Sequence, residues 1–146
     1  MRLELTRRGD YGVRAMLALS AAHEDDPDRV TVREIAALMG VPVRILPSVM
    51  GRLAKADLVI ATEGRAGGYV LARPMSSISL LTIIEAIEGD TRRQRCVLRG
   101  GPCGVGAVCT VHAVFARAED KLRGELAEAT LADVRIPVTP RSRKEE

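Results

Sequence analysis

The residues able to do chemistry in this chain are concentrated between Cys96 and His112, in the stretch CVLRGGPCGVGAVCTVH. All three cysteines of the protein fall there, spaced Cys-x₆-Cys-x₅-Cys, and His112 follows three residues after Cys109. Gly100, Gly101, Pro102, Gly104 and Gly106 occupy the spacers, which predicts a loop rather than a helix or strand. Such a loop can wrap its side chains around one small object. Thiolates are soft ligands suited to iron–sulfur clusters, zinc or copper(I). Cys96, Cys103 and Cys109 leave a four-ligand site one ligand short. Three cysteines could also be buried fillers, or one disulfide plus a spare thiol. Buried cysteines usually sit among apolar neighbours in regular elements. These lie in a glycine-rich loop beside Arg92, Arg93, Arg95 and Arg99, with no carboxylate between residues 91 and 101. A bound metal or cluster is therefore favoured over a thiol redox switch, and both over structural cysteines.

The elements that must position this loop are limited by composition. At 146 residues the chain is one large domain, or one small domain with an appendage. Hydrophobic residues make up 47% and aromatics only 2%, so the core is built from Leu, Val, Ile and Ala, a composition that leans towards helices. No apolar run approaches the roughly 18 residues of a membrane span, and no N-terminal stretch has the regions of a signal peptide. The expectation is a cytoplasmic protein without a membrane partner, where cysteines more often bind metal or do redox work than form structural disulfides. A net charge of +3 and a pI near 9.0 permit nucleic-acid binding without proving it.

After a basic arm, Thr6 can cap a helix over about residues 8 to 22, and Glu24–Arg29, with Pro27, reads as a loop. Thr31 and Glu34 then form a capping box for a short helix with Ile35, Ala36 and Leu38 on its apolar face, ended by Gly40. Pro42 can open the next helix at its first position. Ile45, Leu46, Val49 and Leu53 face the core there, and Arg44, Ser48, Arg52 and Lys55 face outward. Pro47 is tolerable only in a first turn, so this helix is expected to begin at Val43 or Arg44, or to be kinked. Two short helices joined by a glycine-containing turn are the helix-turn-helix signature, the second being the one that enters the major groove. The sequel makes the set more specific. Leu58–Thr62 and Tyr69–Leu71 read as strands joined by the tip EGRAGG, which places Arg65 in or beside the minor groove. The fold class is mainly α with a small β-hairpin wing: a winged helix-turn-helix domain plus a long dimerisation helix. Thr31, Arg44, Ser48, Arg52, Lys55, Arg65 and Gly67 form the expected DNA-facing set, with Arg52 and Lys55 on phosphates.

Residues 1–75 form the expected DNA-binding domain. Residues 76–90 make a connecting helix capped by Ser76 or Ser77 and ended by Gly89, and residues 91–109 the cysteine loop. From about Val108 a helical stripe of Val111, Phe115, Ala118, Leu122 and Leu126 runs along one face, with Arg117, Glu119, Asp120, Arg123, Glu125 and Glu128 on the other. A long helix after a complete small domain predicts that the stripe pairs with a second subunit, giving a two-fold dimer on a palindromic DNA site. Leu131–Ile136 is a short return, closing the segment 108–136, and residues 137–146 are a charged, disordered tail. No catalytic constellation or phosphate-binding glycine motif is present, so the chain is not read as an enzyme. Two other classes remain: a cluster-free thiol-redox or zinc-binding DNA regulator, and an iron–sulfur carrier without a DNA role.

The whole pattern resembles the winged-helix iron–sulfur transcriptional regulators, the family that includes the cluster regulator IscR and the nitric-oxide-sensitive repressor NsrR. The resemblance rests on MRLELTRRGDYGVRAMLAL, REIAALMGVPVRILPSVMGRLAKADLV, the wing GRAGGYVLAR, SISLLTIIEAIEG, the three cysteines with CTVHAVF, and TLADV. It implies a homodimer whose long helices cross, with a cluster between that helix and the DNA-binding domain. Cys96, Cys103 and Cys109 match the cluster cysteines, although the first spacer is one residue longer than the commonest pattern. IscR-like members add a histidine at the position of His112 and hold a 2Fe–2S cluster. NsrR-like members can add an aspartate of the other subunit's first helix, at the position of Asp10, and hold a 4Fe–4S cluster. CTVHAVF is closer to the first pattern, so His112 and 2Fe–2S rank first. Pro47 stands where the family usually has a polar base-reading residue, and Glu63 and Ala66 replace a basic residue and a glycine in the wing, so DNA sequence preference does not carry over.

Overall fold

The computed structural model describes residues 3–25, 29–65, 67–92, 95–98, 100–101 and 109–136. Its elements run α1 (Arg7–Asp25), α2 (Val32–Met39), α3 (Leu46–Lys55), β1 (Val59–Thr62), β2 (Gly68–Leu71), a short 3₁₀ turn (Met75–Ser77), α4 (Leu80–Glu88) and α5 (Thr110–Glu128). Among the described residues the chain is mainly helical with one two-stranded hairpin, as its composition predicts.

Thr6 opens α1 by accepting from the Gly9 N–H through its hydroxyl and from the Asp10 N–H through its carbonyl. The helix is longer than expected because Pro27 disfavours helical geometry only at the residue before it, leaving the chain helical to Asp25. Thr31 caps α2 as expected. Its hydroxyl accepts from the Glu34 N–H at 3.2 Å and Glu34 accepts from the Thr31 N–H at 2.8 Å. Gly40, at φ 64° and ψ 33°, ends the helix in the left-handed region that glycine enters without strain.

Pro42 does not open α3. It starts a tight turn in which Ile45 and Leu46 donate back to the carbonyls of Pro42 and Val43, and the helix begins only at Leu46. Pro47 therefore lies in the first turn, where its missing N–H leaves no helical bond unmade, but Arg44 sits in the turn rather than on the helix. The cap of α4 is Ser79, accepting from the Thr82 N–H at 3.1 Å, and neither Ser76 nor Ser77. Met75–Ser77 is taken by the 3₁₀ turn, with the Ser77 hydroxyl donating to Pro74.

The strands pair antiparallel with Val59 opposite Leu71 and Thr62 opposite Gly68. Val30 exchanges two backbone hydrogen bonds with Tyr69 across the other edge of β2, which ties the start of α2 to the wing. One core joins α1 to α4: Met16, Ile35, Leu46, Met50, Leu53, Leu58, Ile78, Ile83 and Leu131 are all essentially inaccessible. Each such side chain contributes about 1.5–3 kcal/mol relative to exposure. After α5, Leu131 donates to the Ile78 carbonyl and Leu80 to the Ala129 carbonyl, pinning the end of α5 beside the start of α4. Asp133 accepts from the Thr130 N–H at 2.8 Å and from its hydroxyl at 2.7 Å, and these bonds hold its carboxyl below the ordinary carboxylate range.

Arginines close several helix ends, where the last carbonyls lack helical partners. Arg14 donates to the Met39 carbonyl at 3.1 Å, Arg73 to those of Asp57 and Ala56, and Arg52 to that of Ile87.

Candidate nucleic-acid interface and cysteine loop

The α2–turn–α3 unit buries one side and exposes the other. Leu46, Val49, Met50 and Leu53 are at most 1% accessible, whereas Arg44, Pro47, Ser48, Arg52 and Lys55 are exposed. The first turn of α3 contains no acidic residue and its last turn carries Arg52 and Lys55, so this surface presents positive charge. Val43 is an exposed apolar neighbour of Arg44 in the turn. Thr31 stands half-buried at the head of α2, engaged in its capping box. At the wing, Arg65 is exposed. Gly67 is required by close approach, since a Cβ there would lie 2.6 Å from the Thr62 carbonyl oxygen and 2.8 Å from that of Gly64. Ala66 lies outside the described residues. Arg73 binds the carbonyls after α3 and so fixes the wing's base against that helix.

The outward-facing set needs one correction. Arg52 is solvent-exposed but not pointed away from the protein: its Nη1 donates to the Ile87 carbonyl of α4 at 2.9 Å. Periodicity gave the side of the helix but not the course of a long side chain. The sequence assigns no contact to Arg14 or Arg73, and it names Val43 only as a start of the second helix. The carbonyls that Arg14 and Arg73 reach are distant in sequence and leave no local signal, although the i,i+4 spacing of Asp10 and Arg14 is itself local.

The cysteine loop leaves α4 at Gly89. Thr91 donates to Glu85 Oε1 at 3.2 Å, and Arg123 of α5 donates to the same oxygen at 2.8 Å and also to the Thr91 hydroxyl. The Arg123 guanidinium is held above its ordinary pKa by that bond to Glu85. Arg123 thus faces α4, a contact that its place opposite the apolar stripe did not specify. Cys96 anchors a tight turn, its N–H donating to the Gly101 carbonyl and its carbonyl accepting from the Gly100 N–H. Cys109 is the residue that caps α5, and its side chain makes no capping hydrogen bond. His112 lies in the first turn of α5, exposed. Cys96 and Cys109 are half-buried and not joined in a disulfide. Cys103 lies outside the described residues, as do Val108 and the tail 137–146. Asp10 is bound to Arg14 Nε at 2.8 Å within α1. Among the described residues no three metal-ligating side chains converge. Cys109 and His112 are brought onto one helical turn, and Asp10 is not brought to them. Thiolate and imidazole are nonetheless the donor types that hold iron–sulfur clusters.

No residue of α5 is buried. Val111, Ala118 and Leu122 of the expected stripe are exposed and Phe115 and Leu126 half-buried; Val114, at 54% accessibility, widens the apolar face beyond the sequence reading.

A helix-turn-helix followed by a hairpin with a basic tip is a winged-helix DNA-binding protein. The family model "Iron-dependent Transcriptional regulator", Rrf2, matches residues 5–135, and the chain belongs to the Rrf2 family of transcriptional regulators. It is 33% identical over 132 residues to the HTH-type transcriptional regulator IscR of Escherichia coli O1:K1, covering 90% of this chain and 80% of that one. Among solved structures it is similar to T. potens IscR, with a TM-score of 0.71 at 27% identity, covering 90% of this chain and 85% of the other. It shares its fold with CymR, the global cysteine regulator of B. subtilis, with a TM-score of 0.74 at 24% identity over 90% and 95% of the two chains. These relatives regulate transcription and are not enzymes. The protein is a DNA-binding transcriptional regulator, and no helix among its described residues is long and apolar enough to cross a membrane.

Proposed function

We propose that the protein is a homodimeric regulator whose DNA binding responds to an iron–sulfur cluster held by Cys96, Cys103, Cys109 and His112. The observation that carries this reading is the place of Cys109 and His112. They open the same helix, α5, whose apolar face is uncovered, so a group bound there acts directly on the element that would join two subunits. The donor set fits: two cysteines not joined in a disulfide, one of them at a helix cap without a capping bond, and an exposed imidazole one turn on. The Asp10 carboxylate is already engaged by Arg14, which itself closes α2; this favours His112 over Asp10 of a partner, and 2Fe–2S over 4Fe–4S. When bound, the cluster supplies one-electron chemistry and reactivity towards oxidants.

The protein, purified without oxygen, is expected to hold about two irons and two sulfides per subunit, with the visible spectrum lost in His112→Ala and retained in Asp10→Ala. A value near four, lost with Asp10→Ala, would assign the 4Fe–4S alternative. A colourless, iron-free protein would leave the thiol switch or zinc.

On DNA, Arg44 and Ser48 would meet base edges and Arg65 the minor groove, with Thr31 and Gly67 beside the backbone and Lys55 on a phosphate. Lys55→Ala is expected to weaken binding to all sequences and to lower the slope of log K against log salt by about one unit. An unchanged slope removes Lys55 from the contacts.

A further inference from the structure

The last turn of α4 is a junction. Glu85 holds Arg123 of α5 and Thr91 at the mouth of the cysteine loop. The Ile87 carbonyl holds Arg52 of α3. Glu88 Oε1 accepts from both the N–H and the hydroxyl of Thr6, at the head of α1. The helices also approach closely here, since a Cβ on Gly12 would lie 2.6 Å from Ile87 Cγ1. Three successive contact residues of one helical turn thus grip the cysteine loop and α5, the DNA-facing helix, and α1. Ile87 is 2% accessible, so its backbone cannot shift without moving its neighbours.

We infer that this turn relays the state of the cysteine loop to α3, with Arg52 as the positioning residue that makes the connection. The inference rests on the cluster reading proposed above. A change at the loop mouth displaces Thr91 and the Glu85 side chain. Glu85 and Ile87 share a turn, so the Ile87 carbonyl moves with it. The planar guanidinium, fixed on that carbonyl, transmits the displacement to the surface that carries Ser48 and Lys55. Coupling exists only to the extent that the Arg52–Ile87 bond differs between the two states of the loop. A packed, two-ended contact of this kind is the physical requirement for it. The same bond engages one of the five N–H donors of Arg52 on α4.

The test uses full-length wild type, Arg52→Met and Arg52→Lys. Each is measured against a duplex selected from a random-sequence pool by the wild type, with iron bound and after removal by a chelator, across a range of salt. The wild-type affinity ratio between the two states, on the order of tenfold, is expected to fall below about threefold in Arg52→Met and to stay intermediate in Arg52→Lys, which keeps a donor and its charge. The salt slope should be the same in all three. Amide exchange gives a second reading. Iron removal should speed exchange in both Leu80–Glu88 and Leu46–Lys55 of the wild type, but only in Leu80–Glu88 of Arg52→Met. A wild-type ratio retained in Arg52→Met overturns the relay, and a slope lower by about one unit there makes Arg52 a phosphate contact. A ratio of one in the iron-bearing wild type overturns cluster sensing and the relay with it.

Discussion

Leu122→Glu is expected to convert the protein to monomers and to weaken binding to a two-fold DNA site by roughly three orders of magnitude. Leu122 is 39% accessible on a helix with no buried residue, so the change costs the isolated chain little. In a two-fold interface the part of the side chain still exposed is buried twice, at about 1 kcal/mol each, and with the cost of desolvating the introduced carboxylates the loss reaches about 4 kcal/mol, or about a thousandfold in affinity. Light scattering after gel filtration reads the assembly state, and a gel shift reads DNA affinity. Unchanged far-UV circular dichroism confirms that the fold survives. A Leu122→Glu protein that remains dimeric would remove the stripe of Val111, Phe115, Ala118, Leu122 and Leu126 from the interface and leave the exposed Val114 without an occupant.

Leu53→Ala should have the largest effect on stability, about 2–5 kcal/mol, because the side chain is inaccessible and its removal opens a cavity between α3 and the rest of the core. For a chain of this length each kcal/mol lowers the thermal midpoint by about 2–4 °C, so a fall of roughly 4–20 °C is expected by circular dichroism. Against a typical domain stability of about 5–15 kcal/mol, this is a large share. Lys55→Ala, two residues on and exposed, should leave the midpoint nearly unchanged while altering the salt dependence of DNA binding. The pair separates the two faces of α3: one maintains the fold and the other meets the nucleic acid. A shift of less than about 2 °C for Leu53→Ala would mean that the core closes around the gap far better than buried leucine sites usually do.

What the sequence determined by itself was whatever local chemistry decides. The bounds of α2 follow from Thr31, Glu34 and Gly40, because a capping box and a left-handed glycine act within a few residues. The hairpin follows from β-rich segments flanking a glycine-rich tip, and the inward faces of α2 and α3 follow from helical period. The cysteine spacing marked the loop, and the full pattern of motifs marked the family. The tertiary structure decided where neighbours compete or distant groups meet. Leu46 rather than Arg44 begins α3 because a tight turn from Pro42 uses the intervening backbone bonds. Ser79 rather than Ser76 or Ser77 caps α4 because the latter two belong to a 3₁₀ turn. Period placed Arg52 on the outer face of α3 and Arg123 opposite the apolar stripe of α5, yet both turn towards α4. A long guanidinium stem can reach a carbonyl or carboxylate several residues to one side, and which one it meets depends on how the helices are packed, a relation between residues 35 and 38 positions apart that no local pattern encodes.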